Sequence, residues 1–347
     1  MNTSTRTPSQ TGRSRSRLFV WVKRIFLGLI VSIFALVAVG AIYQAIGTSS
    51  DKHNFPPPGQ LVDVGGYRLH IYCTGSQDTG NPTVFLDTLS GGTSANWGWI
   101  QPEIAKVTRV CSYDRAGRGW SEPSPNPITL EGTVRDLHTL LQKAEILGPY
   151  VLVGHSVGGI YNRKYAAEHP DEVVGLALVD SSHPDQFLRY PELQAENDAY
   201  LRMSAIFPML ARIGLFRFFF SRGGEIDFAD LPPQQHAEVA AFWSSPEYFN
   251  SSQDETIALP VIFADAHSLG SLGDLPLAVI SQGKNPTLGW NEMQDELASL
   301  SSNSIHITVP DATHASLALD QQHAHETSAA ILQVVEAART GMPLVSK

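Results

Sequence analysis

Residues 150–153, Tyr-Val-Leu-Val, run directly into Gly154-His-Ser-Val-Gly158, and the apolar residues of 160–169 then recur at helical spacing. This is the most restrictive feature of the chain. A buried strand that turns within five residues into a helix must pack that helix back on its own sheet, which favours parallel strands joined by helical crossovers. The glycines at 154 and 158 let strand and helix approach without side-chain clash. Ser156 stands between them at the start of the helix, where unpaired backbone N–H groups and the helix dipole favour negative charge.

Further apolar runs rich in β-formers lie at 61–64, 67–73, 83–87, 109–113, 174–180, 276–280 and 304–309. Helical periodicity at 134–144, 160–169 and 326–339 falls between or after them. The pattern predicts an α/β fold, a three-layer α/β/α sandwich around a mostly parallel eight-stranded sheet. Its first two strands, joined by Gly65-Gly66, form an antiparallel hairpin. The alternation stops between Asp180 and Pro276, where 191–213 and 233–243 read as helices. A helical lid is therefore expected over 183–273, inserted into a core made of 60–182 and 274–342. The aromatic run Leu215-Phe-Arg-Phe-Phe-Phe220 either lines a pocket in that lid or packs a helix onto the body.

The N-terminal stretch has a different character. Residues 1–24 carry Arg6, Arg13, Arg15, Arg17, Lys23 and Arg24 and no acidic residue, although the whole chain has a formal charge of −10. The body is thus strongly acidic, which excludes the basic face that nucleic-acid binding requires. Residues 25–47 hold an uncharged apolar run, Ile25 to Tyr43, long enough to cross a bilayer core. The positive-inside rule keeps the basic tail cytoplasmic and places everything beyond the helix on the other side. The alternative is a signal peptide cleaved after Ala38-Val-Gly40, with secretion of the body. Residues 48–59, ending Asn54-Phe-Pro-Pro-Pro-Gly59, are expected to form an extended linker. Two cysteines, Cys73 and Cys111, permit one disulfide in an oxidising compartment or two buried thiols.

A strand, Gly-x-Ser-x-Gly and a helix in succession make a nucleophile elbow. Together with Tyr113-Asp-Arg-Ala-Gly-Arg-Gly-Trp-Ser121, this elbow makes residues 60–340 resemble the α/β-hydrolase superfamily. The resemblance is to its lidded serine esterase-like branch, which also contains proline iminopeptidases and haloalkane dehalogenases. It implies Ser156 as nucleophile and a chain order of Ser, acid, His. His314, which follows the last strand, is the base, ahead of His306, His323 and His325. The seventh strand is followed by Ser281-Gln-Gly-Lys-Asn-Pro, with no carboxylate before Glu292 and Asp295. The first choice of acid is therefore Asp180, at the end of the sixth strand as in some dehalogenases, with Asp295 as the alternative.

The oxyanion of an acyl transfer needs two N–H donors. The resemblance assigns them to Val157 and to the loop Asp87-Thr-Leu-Ser-Gly-Gly92, where Ser90 takes the donor position and Leu89 is the other possibility. The Tyr113–Ser121 turn is expected to be structural, and Trp97 and Trp99 either wall the pocket or pack. His323-Ala-His325 has no third ligand at helical or turn spacing, so no metal is expected. Gly117-Arg-Gly119 is not a dinucleotide fingerprint, so no cofactor is expected either. The resulting expectation is a membrane-anchored hydrolase of small apolar esters. Its rivals are a proline iminopeptidase-like peptidase and a non-catalytic small-ligand binder on the same fold.

Overall fold

The structure is a computed structural model that describes residues 11–76, 80–224 and 230–344, with side chains from Phe19 onward. The first part of the basic tail, with Arg6, lies outside these residues. A long helix, α1 (Thr11–Asn54), precedes the body. Its segment from Phe19 is long and apolar enough to cross a membrane, and its apolar side chains are exposed. Residues 48–54 continue this helix, which corrects the expectation of an extended linker from residue 48. Nothing in Gly47-Thr-Ser-Ser-Asp-Lys-His-Asn54 breaks a helix, and the first residues that cannot continue it are Pro56, Pro57 and Pro58.

The body then alternates strand and helix. It opens with β1 (Gln60–Asp63), β2 (Arg68–Thr74) and β3 (Thr83–Asp87), followed by α2 (Ile100–Ile104) and β4 (Val110–Tyr113). Next come α3 (Leu130–Lys143), β5 (Tyr150–His155), α4 (Val157–Glu168) and β6 (Val173–Val179). After a helical insertion the core resumes with β7 (Leu277–Gln282) and, later, β8 (Ser304–Val309). All eight strands join one sheet in the order β1-β2-β4-β3-β5-β6-β7-β8, antiparallel at β1–β2–β4 and parallel from there on. The expected hairpin closes as predicted, with Asp63 Oδ1 accepting the amides of Gly65 (2.9 Å) and Gly66 (3.1 Å).

The central strands are buried on both faces, as parallel strands must be when crossover helices cover them. Leu152 of β5 packs with Val134, Leu137 and Ile160 of α3 and α4, whereas Val151 and Val153 face the opposite layer. That layer holds Ile331 and Val334, and it is closed by the last helices. In chain order the insertion supplies α5 (Gln186–Arg189), α6 (Pro191–Ser204), α7 (Phe207–Arg212), α8 (Leu215–Ser221), α9 (Pro233–Trp243) and α10 (Pro246–Ala266). The core then adds α11 (Trp290–Ala298), α12 (Ser316–Leu319) and α13 (Gln321–Thr340), the last carrying Ile331 and Val334. Truncating a side chain such as Leu152 to alanine in this packing costs about 2–5 kcal/mol.

Cys73 and Cys111 are direct cross-strand partners on β2 and β4, and they are joined by a disulfide, with Cα atoms 4.0 Å apart. The aromatic run 215–220 divides by helical geometry. Phe216 packs in a tilted pair against Phe249 of α10 with centroids 4.4 Å apart, whereas Phe218 and Phe219 point outward.

Candidate active site

The parallel sheet brings the ends of β5, β6 and β8 to one edge, and the residues at those ends are the predicted ones. Ser156 follows β5 with φ 57° and ψ −125°, a conformation sparsely populated for a residue with a Cβ. Such strain costs roughly 1–3 kcal/mol and persists only where the surroundings over-determine it. Here the Ser156 amide donates to Val179 O (3.1 Å), and its carbonyl accepts from the amides of Gly159 (3.1 Å) and Ser182 (3.0 Å). Gly158 lies so close to the β3 loop that an added Cβ would stand 2.6 Å from Asp87 O.

Asp180 follows β6, fully buried and with φ 42°. Its Oδ2 accepts a hydrogen bond from His314 Nδ1 at 2.6 Å. Its Oδ1 accepts one from the Trp290 indole N–H at 2.8 Å and one from the Gln282 amide at 3.1 Å. Burial by itself pushes this carboxyl up, but His314, Trp290 and the Gln282 amide outweigh it and hold the pKa below the ordinary carboxylate value. The ionised carboxylate fixes the proton on His314 Nδ1, which leaves Nε2 as the basic nitrogen. The His314 backbone is held from two sides: its amide donates to Gln282 Oε1 (2.9 Å), and its carbonyl accepts from His155 Nε2 (2.9 Å). Burial, reinforced by the neighbouring His314, lowers the pKa of His155 to about 3, so its ring is a neutral support.

Asp295, the alternative acid, does not join this group. It is largely exposed and pairs instead with His306 Nδ1 at 2.6 Å. Trp290, Gln282 and His155 were not anticipated as site residues. Gln282 is the last residue of β7, and His155 is the variable position before the serine. Both positions carried a signal, but their polar contacts are made by tertiary structure.

Val157 opens α4, so its amide has no intrahelical acceptor. In the loop after β3, the Gly92 amide bonds to Leu89 O (3.0 Å) and the Gly91 amide to Glu255 Oε2 (2.9 Å). Ser90, expected as the second oxyanion donor with Leu89 as the alternative, lies in this loop, and its hydroxyl donates to Glu255 Oε2 (2.8 Å). Glu255 comes from α10, in the insertion. It is buried, and its ion pairs with Arg115 (3.0 Å) and Arg118 (2.7 Å) overcome the burial that would raise it, holding its pKa at about 2. Arg115 also donates to Thr88 O (2.8 Å), to Leu89 O (2.7 Å) and to Asp87.

The two arginines belong to the 113–121 turn, expected to be structural. Asp114 does organise that turn, accepting the amides of Ser94 (2.6 Å) and Trp120 (3.1 Å) and contacting His70 (2.9 Å). The same turn additionally clamps the insertion to the loop after β3. Trp97 is buried beside His155 with ring centroids 6.3 Å apart, and the Trp99 indole donates to Asp230 O (2.8 Å). At the other edge of the sheet, His138, His169 and Glu172 place possible metal-ligand atoms within 4.8 Å of one another. Glu172 there already accepts from Tyr165 OH (2.6 Å) and contacts His138 (3.2 Å).

A family model described as "Alpha/beta hydrolase family" matches residues 88–330. The chain belongs to the alpha/beta hydrolase family. Among curated relatives, an uncharacterized protein of Schizosaccharomyces pombe (strain 972) is 30% identical over 294 residues, covering 74% of this chain and 52% of that protein. An uncharacterized vacuolar membrane protein of Saccharomyces cerevisiae (strain YJM789) is 29% identical over 209 residues, or 52% of this chain and 32% of that one. The chain thus spans about half, or less, of the length of these relatives. The 2-hydroxy-6-oxo-2,4-heptadienoate hydrolase of Pseudomonas putida is 31% identical over 124 residues, 35% of this chain and 44% of that one. Among solved structures, the enol-lactonase from Burkholderia xenovorans LB400 superposes with a TM-score of 0.57 at 19% identity, covering 80% of this chain and 100% of its own. An alpha/beta hydrolase enzyme from a Medee basin deep-sea metagenome library gives 0.61 at 14% identity, covering 83% and 99%. These two likenesses concern the fold.

Proposed function

We propose that this member of the alpha/beta hydrolase family is a serine esterase acting on small apolar carboxylic esters. The observation that carries the reading is the buried Asp180 carboxylate bonded at 2.6 Å to His314, at the sheet edge where Ser156 is held in its strained turn. A serine hydroxyl is a weak nucleophile near neutral pH and needs an oriented base. In the proposed reaction His314 Nε2 takes the hydroxyl proton as Ser156 Oγ bonds to the ester carbonyl carbon. The oxyanion rests on the Val157 amide and on the Ser90 or Leu89 amide. Collapse breaks the C–O bond and returns the proton to the leaving alcohol, and a water activated by the same histidine then releases the acid. A peptidase or a silent binding protein shares the fold, but the helical insertion with its aromatic packing favours an apolar ester.

The same reading makes α1 a single membrane-spanning anchor, with the basic tail cytoplasmic and the catalytic body outside. An apolar helix of this length supports it, as does a relative named as a vacuolar membrane protein. The test is fluorophosphonate labelling of the full chain in detergent, comparing wild type with Ser156→Ala and His314→Ala. Labelling of wild type that is lost in both variants is expected. A folded wild type that takes no label defeats the esterase reading.

A further inference from the structure

The membrane helix does not stand apart from the body. One stripe of α1, formed by Gly40, Tyr43, Gln44 and Asp51, packs on the insertion. At Gly40 the approach is so close that an added Cβ would stand 2.4 Å from Ile213 O. Gln44 is buried, donating to Ser244 O (2.8 Å) and accepting from Arg217 Nε (3.1 Å), and Arg217 also pairs with Asp51 at 2.7 Å. The elbow between α7 and α8, at Ile213-Gly214, is therefore fixed against a defined turn of α1.

That turn lies within the apolar run. Gly40 is six residues short of Ile46, or about 9 Å along the helix axis. If Ile25 to Ile46 fills the bilayer core, whatever packs on Gly40 sits below the far membrane surface. The side chains around the elbow fit that depth. Ile206, Met209, Leu215, Phe218 and Phe219 are each about half exposed (47–58%) on the outer surface of α7, α8 and their flanks. Residues 199–224 contain four arginines and no acidic residue, in a chain whose net charge is −10. Three of them, Arg202, Arg212 and Arg222, are exposed, and Arg222 lies over the Phe218 ring at 5.2 Å. Apolar and aromatic groups flanked by arginines, without carboxylates, are what an anionic lipid headgroup layer accommodates.

We propose that the α7–α8 elbow is seated in the outer leaflet beside α1, so that the insertion covering the oxyanion loop is also the membrane-contacting face of the enzyme. This rests on the spanning reading of α1. The occupant of this surface is lipid, because the surface is continuous with the lipid-facing side of the anchor.

The test uses the full chain in phosphatidylcholine–phosphatidylglycerol nanodiscs, one copy per disc, with bimane attached at Phe218→Cys or Phe219→Cys. Nitroxide-labelled lipids serve as quenchers. Ile33→Cys reports the anchor, and Leu147→Cys, exposed before β5 at the opposite sheet edge, reports water. At least twofold quenching at 218 and 219 by shallow nitroxides is expected, with deep quenching at 33 and none at 147. Quenching at 33 without quenching at 218 and 219 overturns the proposal and leaves the anchor standing. A blue shift at 218 without quenching marks burial against protein and overturns it equally. Absence of quenching at 33 removes the anchor and this inference together. None of these readouts depends on catalysis.

Discussion

Asp180 carries the most at the residue scale, because a single carboxylate orients His314, accepts the Trp290 indole and ties β6 to β7. Asp180→Asn is expected to lower kcat about 10³- to 10⁴-fold, since an amide no longer selects the productive tautomer. Asp295→Asn, which alters an exposed pair with His306, is expected to stay within about twofold of wild type, since an exposed pair of this kind contributes little. Steady-state hydrolysis of a short-chain nitrophenyl ester separates the two. Trp290→Phe keeps the ring and removes one donor to Asp180, and about a tenfold loss in kcat with KM little changed is expected. Ser156 and His314 were legible in the sequence because each follows a strand end with a local signature. The supports of Asp180 were not, since Trp290 and Gln282 reach it from 110 and 102 residues away.

Among the elements, α10 is the one whose role no local pattern announced. It was not among the helices read from the sequence, and Glu255 is a buried carboxylate only because the 113–121 turn presents Arg115 and Arg118 to it. Removing one partner from such a site leaves an uncompensated buried charge, so Arg118→Met is expected to destabilise the chain by about 3–5 kcal/mol. Glu255 also makes stability depend on pH. Its pKa is held at about 2 in the folded chain against an ordinary 4.5, so the unfolded chain binds the proton first. The contribution is complete above about pH 5 and is lost as pH falls toward 2. Glu255→Gln is expected to flatten this acid limb, read as the urea midpoint of the chain in detergent between pH 3 and 6. Because Glu255 bonds the Gly91 amide and the Ser90 hydroxyl, the same variant is expected to lower kcat more than it raises KM.

For the whole molecule, the disulfide and the docked anchor join parts that lie far apart in sequence. The Cys73–Cys111 bridge closes a loop with a separation of 38 residues. Its loss in a Cys73→Ala, Cys111→Ala variant is expected to cost about 2–4 kcal/mol, seen as a lower urea midpoint in detergent. With the α7–α8 elbow in the leaflet, Phe218→Ser with Phe219→Ser is expected to slow hydrolysis of esters dissolved in bilayers severalfold while leaving a water-soluble ester unaffected. Equal rates on both substrates in that variant defeat a membrane-facing entry. Strand positions, the elbow serine, the closing histidine and the apolar helix were determined by the sequence alone, because periodicity, turn chemistry and hydropathy act over a few residues. Tertiary structure alone decided that Asp180 and not Asp295 meets His314, that the cysteines pair, that Glu255 clamps the loop after β3, and that α1 docks on the insertion. Alternation in a strand says which face a side chain takes. Which distant residue waits on that face depends on the strand order and on the packing of the whole chain.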